Sequence, residues 1–213
     1  NTDDPEQVFA NAGDTSYTRL PERIRERVKE AEDNIQWLNQ KTKSLQDEPD
    51  DVDWEYTAKR FEKDIFYLLK FMFRYSERLG RHGQTEPDGC LLIPRGESNH
   101  YIAGYDAKLT QQVDGYDIDS DEKTKAAKYI SILNQNSLIR NLKSDEPVDG
   151  HIFISNNLNE GQFSHVADEV GRWIEANENA THHSPVIFFE TDALISLLDV
   201  FNRNFDHIYG DPD

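Results

Sequence analysis

Apolar residues recur along this chain at two different periods, and the switches between them mark its elements. Over about 17–45, Leu20, Ile24, Val28, Ile35 and Leu38 fall at helical spacing, with Pro21 near the start, where a helix tolerates it. A second helix is expected over about 52–79. At about 100° per residue Phe61, Ile65, Leu68, Leu69 and Met72 share one face, and Phe66 and Phe73 lie at its edge. The pattern then turns extended. Gly89-Cys90-Leu91-Leu92-Ile93 and His100-Tyr101-Ile102-Ala103-Gly104-Tyr105-Asp106-Ala107-Lys108 read as two short strands joined by the turn-rich Pro94-Arg95-Gly96-Glu97-Ser98-Asn99. A helix over 121–134, capped by Asp119-Ser120, turns Ala126, Tyr129, Ile130 and Leu133 inward. His151-Ile152-Phe153-Ile154-Ser155 is a continuous apolar strand of the kind found in sheets covered on both faces. A helix over 162–178, a second buried strand Val186-Ile187-Phe188-Phe189, and a helix over 192–202 capped by Thr191 complete the chain. Residues 1–16, 46–53, 110–120 and 143–150 read as linker or loop. The alternation of strand and helix implies parallel pairing and an α/β fold with a helix-covered sheet.

A chain of 213 residues is most economically one main domain. We assign 51–213 to it and 1–50 to an N-terminal linker and added helix. The net charge of −18 bears most on function, because proteins that grip nucleic acid are expected to be basic. The acids are spread along the chain rather than gathered in a tail, which favours an acidic surface adapted to a salt-rich cytoplasm, that of a halophilic microorganism. The alternative is an acidic interaction protein with no nucleic-acid role. Cys90, the single cysteine, sits in an apolar run and is expected to be a packed thiol. No run approaches membrane-spanning length and no signal peptide is visible, so a cytoplasmic protein without a membrane partner is expected. The first residue is Asn1 rather than Met, as in a piece of a larger protein.

The candidate chemistry lies in the hairpin. Asp88 stands at the mouth of the first strand, and Asp106 and Lys108 at the far end of the second. In an antiparallel pair the start of one strand lies beside the end of the other. Side chains alternate along a strand, so Asp106 and Lys108 share a face and Ala107 points away. Two carboxylates, an ammonium group and the Ala107 carbonyl are thereby brought into one small volume. Hard oxygen donors select Mg²⁺ or the similar Mn²⁺, which polarises a phosphoryl oxygen and activates a bound water. Pro-Asp recurs at Pro49-Asp50 and Pro212-Asp213, and Asp121-Glu122-Lys123 repeats Asp-x-Lys, but only Asp88 and Asp106 flank strand-like runs. The plain alternative is a polar hairpin carrying exposed acids. Glu62 falls within the apolar arc of the second helix, either as a third acid at the metal or as a rim residue paired with an arginine. Along that helix Lys63, Lys70, Arg74, Arg78 and Arg81 line up as a basic stripe running towards Asp88. With His82, and with Lys125 and Lys128 on the next helix, the stripe supplies the candidate contacts to a DNA backbone. Its alternative is an ordinary solvated face paired with Asp64 and Glu77.

Pro87-Asp88 followed by Asp106-Ala107-Lys108 resembles the signature of the PD-(D/E)XK nucleases. The order of elements, with Phe61-Glu62-Lys63-Asp64-Ile65-Phe66-Tyr67, Arg81-His82-Gly83, Gly115-Tyr116, Lys128-Tyr129 and the strand at 151–155, resembles the cleavage domain of type IIS restriction endonucleases of the FokI kind. The likeness runs over about 61–198. It implies a restriction-endonuclease-like three-layer α/β/α core with a mixed sheet. Asp88, Asp106 and Glu62 would be metal ligands with the Ala107 carbonyl, and Lys108 the catalytic lysine. It further implies Mg²⁺-dependent endonuclease activity on double-stranded DNA, homodimerisation to cut both strands, and a separate DNA-recognition domain or subunit. The competing reading keeps the fold but makes it a catalytically silent module that contacts DNA or a partner protein.

Overall fold

The computed structural model describes residues 22–47, 55–73, 75–79, 86–94, 100–143, 146–178, 186–205 and 208. Two helices come first, α1 (Glu22–Asp47) and α2 (Ala58–Met72). Three strands follow, β1 (Glu77–Arg78), β2 (Gly89–Pro94) and β3 (His100–Lys108). Then come α3 (Ser120–Gln135), α4 (Ser137–Leu142), β4 (Gly150–Ser155), α5 (Phe163–Glu178), β5 (Val186–Glu190) and α6 (Thr191–Arg203). The strands form one five-stranded mixed sheet in the order β1-β2-β3-β4-β5. β1, β2 and β3 pair antiparallel, while β3–β4 and β4–β5 pair parallel.

Strand alternation sorts the side chains into two cores. Leu91, Ala103, Tyr105, Ala107, Ile152 and Ile154 pack against α1, α2 and α6. Cys90, Ile102 and Phe153 face the other way, against α3, α4 and α5. This is the expected three-layer α/β/α arrangement around a mixed sheet. α1 contributes Val28, Ala31, Ile35 and Leu38 to the first core, so the N-terminal helix is part of the packing rather than an appendage. No helix among the described residues is long and apolar enough to cross a membrane.

Several local expectations are corrected. The second helix stops at Met72, where Phe73 turns extended at φ −124 and ψ 94, instead of running to 79. Glu77 and Arg78 then form an edge strand paired with Cys90 and Gly89. Two residues carry too little alternation to announce a strand. The short helix α4 is additional to the expected elements, since its six residues make barely more than one helical turn of pattern. β5 is half-buried along its length rather than buried, because it is the sheet edge opposite β1. Thr191 does not cap α6. Glu190 occupies the cap position without a side-chain bond, and the buried Thr191 hydroxyl instead donates to Asn39 Oδ1 on α1.

A buried amide fixes the far end of β3. Asn156, just beyond β4, accepts from Thr110 N at 2.9 Å, and its Nδ2 donates to Thr110 O at 2.8 Å and Thr42 Oγ1 at 3.0 Å. Buried polar groups are costly unless partnered, and here each partner ties α1, β3 and β4 together two residues after Lys108.

Candidate active site

The β2–β3 register pairs Gly89 with Tyr105, which leaves Asp88 and Asp106 side by side at the strand ends. Asp88 N donates to Asp106 Oδ1 at 3.2 Å, and Ala107 N donates to Asp88 Oδ2 at 2.8 Å. Each carboxylate is therefore oriented by the backbone of the other strand. Asp106 is 4% exposed and lies on the α3 side of the sheet with Lys108, while Ala107 packs on the α2 side. Lys108 Nζ stands 3.9 Å from Asp106 Oδ2 and 3.3 Å from Glu122 Oε1 on α3. Glu122 Oε1 also accepts from the Tyr116 hydroxyl at 2.5 Å.

Electrostatics separates the two aspartates. Burial, then the Asp106 charge, push the Asp88 carboxyl up to about 7, with Glu62 adding to the rise and the Ala107 N–H and Lys108 opposing it. Burial also works against charge on Asp106, but the His151 ring, Lys108 and the Asp88 N–H outweigh it and hold Asp106 below the ordinary carboxylate range. The pair thus carries its first negative charge on Asp106 and resists the second. For Lys108, burial alone would favour the neutral amine. Asp106, Glu122 and Asp88 override it and raise its pKa, so Lys108 is an ammonium group at neutral pH.

This donor set fits a small hard cation. The buried Asp106 and half-buried Asp88 carboxylates lie near enough for each charge to oppose the other, a clash that a divalent ion relieves, and both supply only oxygen. Among the described residues no group of three or more His, Cys, Asp or Glu is gathered closely enough to hold a metal by side chains alone. Mg²⁺ needs no such cage, since it commonly takes one or two carboxylates and keeps several waters. Glu62 is half-buried and near enough for its charge to act on Asp88, without joining the two aspartates in a three-acid cluster.

The basic stripe is not a continuous face. α2 ends before Arg78, which lies in β1, so the helical spacing does not carry through. Lys70 is 4% exposed, and its ammonium bonds Glu77 Oε1 at 2.9 Å, tying α2 to the sheet edge rather than facing a ligand. Lys63 is exposed with its amine over the Tyr67 ring, and Lys125 and Lys128 are exposed on α3. Arg74, Arg81 and His82 lie outside the described residues.

Residues not expected from the sequence also surround the site. Glu122, which accepts from the Tyr116 hydroxyl, pairs with Lys108, and Tyr129 packs beside His151 with ring centroids 5.9 Å apart. Burial, with Asp106 close by, pushes the Tyr129 hydroxyl up to about 12. Gly115-Tyr116 and Lys128-Tyr129 stood out in the sequence, but which of their side chains reach β3 depends on how α3 crosses the sheet. Asp64, assigned to the helix surface, is instead buried. Tyr56 OH donates to it, Asn34 Nδ2 donates at 2.9 Å, and burial raises its pKa.

No family model matches this chain, and none of the curated proteins matches it. Among solved structures it is similar to restriction endonuclease FokI bound to DNA, at 16% identity and a TM-score of 0.47 over 81% of this chain and 32% of that one. It is likewise similar to the FokI restriction endonuclease structure at 16% identity and a TM-score of 0.48, over 78% of this chain and 31% of that one. The matched region thus spans about a third of those chains. At that identity and TM-score neither likeness assigns an activity or a residue.

Proposed function

We propose that this chain is a divalent-metal-dependent DNA endonuclease, the cleavage unit of a restriction-type enzyme with a restriction-endonuclease-like fold. The observation that carries the reading is the meeting of Asp88, immediately before β2, with Asp106 and Lys108, at the end of β3, in the pattern of the PD-(D/E)XK signature. Asp88, Asp106 and the Ala107 carbonyl would hold Mg²⁺ or Mn²⁺, with Glu62 adding negative charge on the Asp88 side. A bound ion supplies Lewis-acid polarisation of the phosphoryl oxygen and an acidified water.

The chain's own residues supply the rest. Asp106 stays ionised and oriented by the Asp88 N–H, so a ligand is in place before substrate arrives. Lys108, kept protonated, donates rather than accepts: it orients the attacking water and offsets the charge that builds on the phosphorus oxygens. Glu122 and Tyr116 fix where that amine sits. Lys125 and Lys128 on α3, with Lys63, are candidate grips for the backbone of double-stranded DNA. One such site cuts one strand, so cutting both calls for a homodimer, and sequence choice falls to a separate DNA-reading domain or subunit. The net charge of −18 fits a salt-rich cytoplasm, where phosphate repulsion is screened.

Plasmid nicking with purified protein, titrating Mg²⁺ and KCl, tests this reading. Supercoiled plasmid should become open circle only with Mg²⁺ or Mn²⁺, and Asp106→Asn should stop it. Mg²⁺-independent nicking, or nicking untouched by Asp106→Asn, refutes the assignment. DNA binding without nicking points to the silent module instead.

A further inference from the structure

Near the site the Tyr105 hydroxyl, Glu122 Oε2 and both ring nitrogens of His151 are buried without a hydrogen bond. His151 is 0% exposed, and neither ring nitrogen makes a hydrogen bond. Buried polar atoms in folded proteins are nearly all paired, because an unpaired one has lost its water without regaining a hydrogen bond. A plain core position would be filled better by an aromatic ring without nitrogens, as Phe153 is on the same strand face. The ring packs edge-on to Phe153 at 4.9 Å and beside Tyr129, both of which could accommodate a purely apolar side chain.

What the imidazole does face is Asp106. Nε2 stands 3.6 Å from Asp106 Oδ2, too long for a hydrogen bond but within one small side-chain adjustment of it. The sequence makes room for this approach. His151 pairs with Gly104 across the β3–β4 ladder, and Gly104, Asp106 and Lys108 share one face of β3. A Cβ at Gly104 would lie 3.3 Å from His151 Nδ1 and 3.0 Å from Leu133 Cδ1, so a side chain there would crowd the ring. Asp106 is thereby bracketed. Its Oδ1 accepts from Asp88 N, and its Oδ2 looks at an unpaired ring nitrogen.

We infer that His151 is a positioning residue for the metal site, donating Nε2–H to Asp106 Oδ2 and fixing the carboxylate's rotation for an ion held with Asp88. This rests on the reading of Asp88 and Asp106 as metal ligands. Partners that orient a ligating group from behind it commonly change metal affinity about 10–100-fold when removed. His151 acts through Asp106 and does not itself touch the substrate.

The test is Mg²⁺ binding by calorimetry on the full chain, without DNA. His151→Phe should melt within a few degrees of wild type, because it removes an unsatisfied polar group from an aromatic pocket. It should bind Mg²⁺ about 10-fold or more weakly. His151→Gln, whose amide can reach the Nε2 position, should recover most of the loss, which a packing role alone would not produce. In unsubstituted protein, nitrogen NMR of His151 should show the proton on Nε2, and this readout needs no variant. Wild-type affinity in His151→Phe, while Asp106→Ala abolishes binding, would overturn the role of His151 and leave the metal site standing. So would a bare Nε2. Saturable Mg²⁺ binding that survives Asp106→Ala, or none in wild type, would instead bring down the metal-site reading and this inference with it.

Discussion

Asp88 and Asp106 are each held by the other's strand: the Asp88 N–H grips Asp106 Oδ1, and the N–H next to Asp106, that of Ala107, grips Asp88 Oδ2. The buried Asp106 and the half-buried Asp88 are thus fixed side by side, with Lys108 Nζ 3.9 Å and His151 Nε2 3.6 Å from Asp106 Oδ2. Such an arrangement works against folding and for ligand binding, and the predictions below separate the two effects.

Asp88 should make the metal-free protein less stable as pH rises. Its carboxyl titrates near 3.8 when unfolded and at about 7 when folded. The folded state therefore binds more protons between those values, and stability falls across that window. A shift of about three units corresponds to roughly 4 kcal/mol at most. Chemical denaturation at pH 4.5 and 8 should show this loss, and Asp88→Asn should remove most of it while abolishing nicking. Equal stability at the two pH values in wild type would contradict the shift.

Mg²⁺ binding should release a proton near neutral pH, since the ion must displace the one held on Asp88. Calorimetry in buffers of different ionisation enthalpy should report up to one proton released at pH 6.5, fading by pH 8.5. Chelation of the metal at pH 8 should lower the melting temperature. A melting temperature indifferent to Mg²⁺ at that pH counts against binding at this pair.

Lys108→Met should cut nicking about 10²–10³-fold without weakening Mg²⁺ binding, because it removes a cation beside the carboxylates. Loss of metal affinity in this variant would mean that the amine organises the aspartates rather than the reaction. Single-turnover nicking at saturating Mg²⁺ distinguishes the two.

Asn156→Ala should destabilise the chain by about 2–4 kcal/mol, since it strands Thr110 N and O together with the Thr42 hydroxyl in the interior. In a domain this size that is roughly 5–15 °C in melting temperature. A loss under 1 kcal/mol in urea denaturation would show that water replaces the amide.

Raising KCl from about 0.1 to 2 M shortens the screening length from roughly 10 Å to a few Å. With a net charge of −18, thermal stability should climb over that range, and nicking should be better at molar salt than at 0.1 M. Falling stability and falling activity would remove the halophilic reading.

Much of this was legible in the chain because strand alternation is strict. Once 89–93 and 100–108 are read as a hairpin, Asp88 must meet the end of β3, and Asp106 must share a face with Lys108. The apolar run at 151–155 likewise demands a covered strand. What failed is what depends on chain ends and on distant packing. Cationic residues continued the helical spacing of α2 past Met72, so the turn at Phe73 and the edge strand at Glu77–Arg78 left no mark, and Lys70 looked like surface when it braces that edge. Asp64 reads as a solvated acid until Tyr56 and Asn34 close over it. His151 reads only as the first residue of an apolar strand, and it is the β3–β4 register that places it over Gly104 and beside Asp106.

The central claim is that Asp88 and Asp106 together hold one divalent ion beside Lys108. Anomalous diffraction from crystals soaked in Mn²⁺ tests it directly. The account predicts a single strong peak within about 2–2.3 Å of an oxygen from each aspartate, absent from Asp106→Ala crystals. Occupied Mn²⁺ sites elsewhere, with none between these two carboxylates, would contradict it.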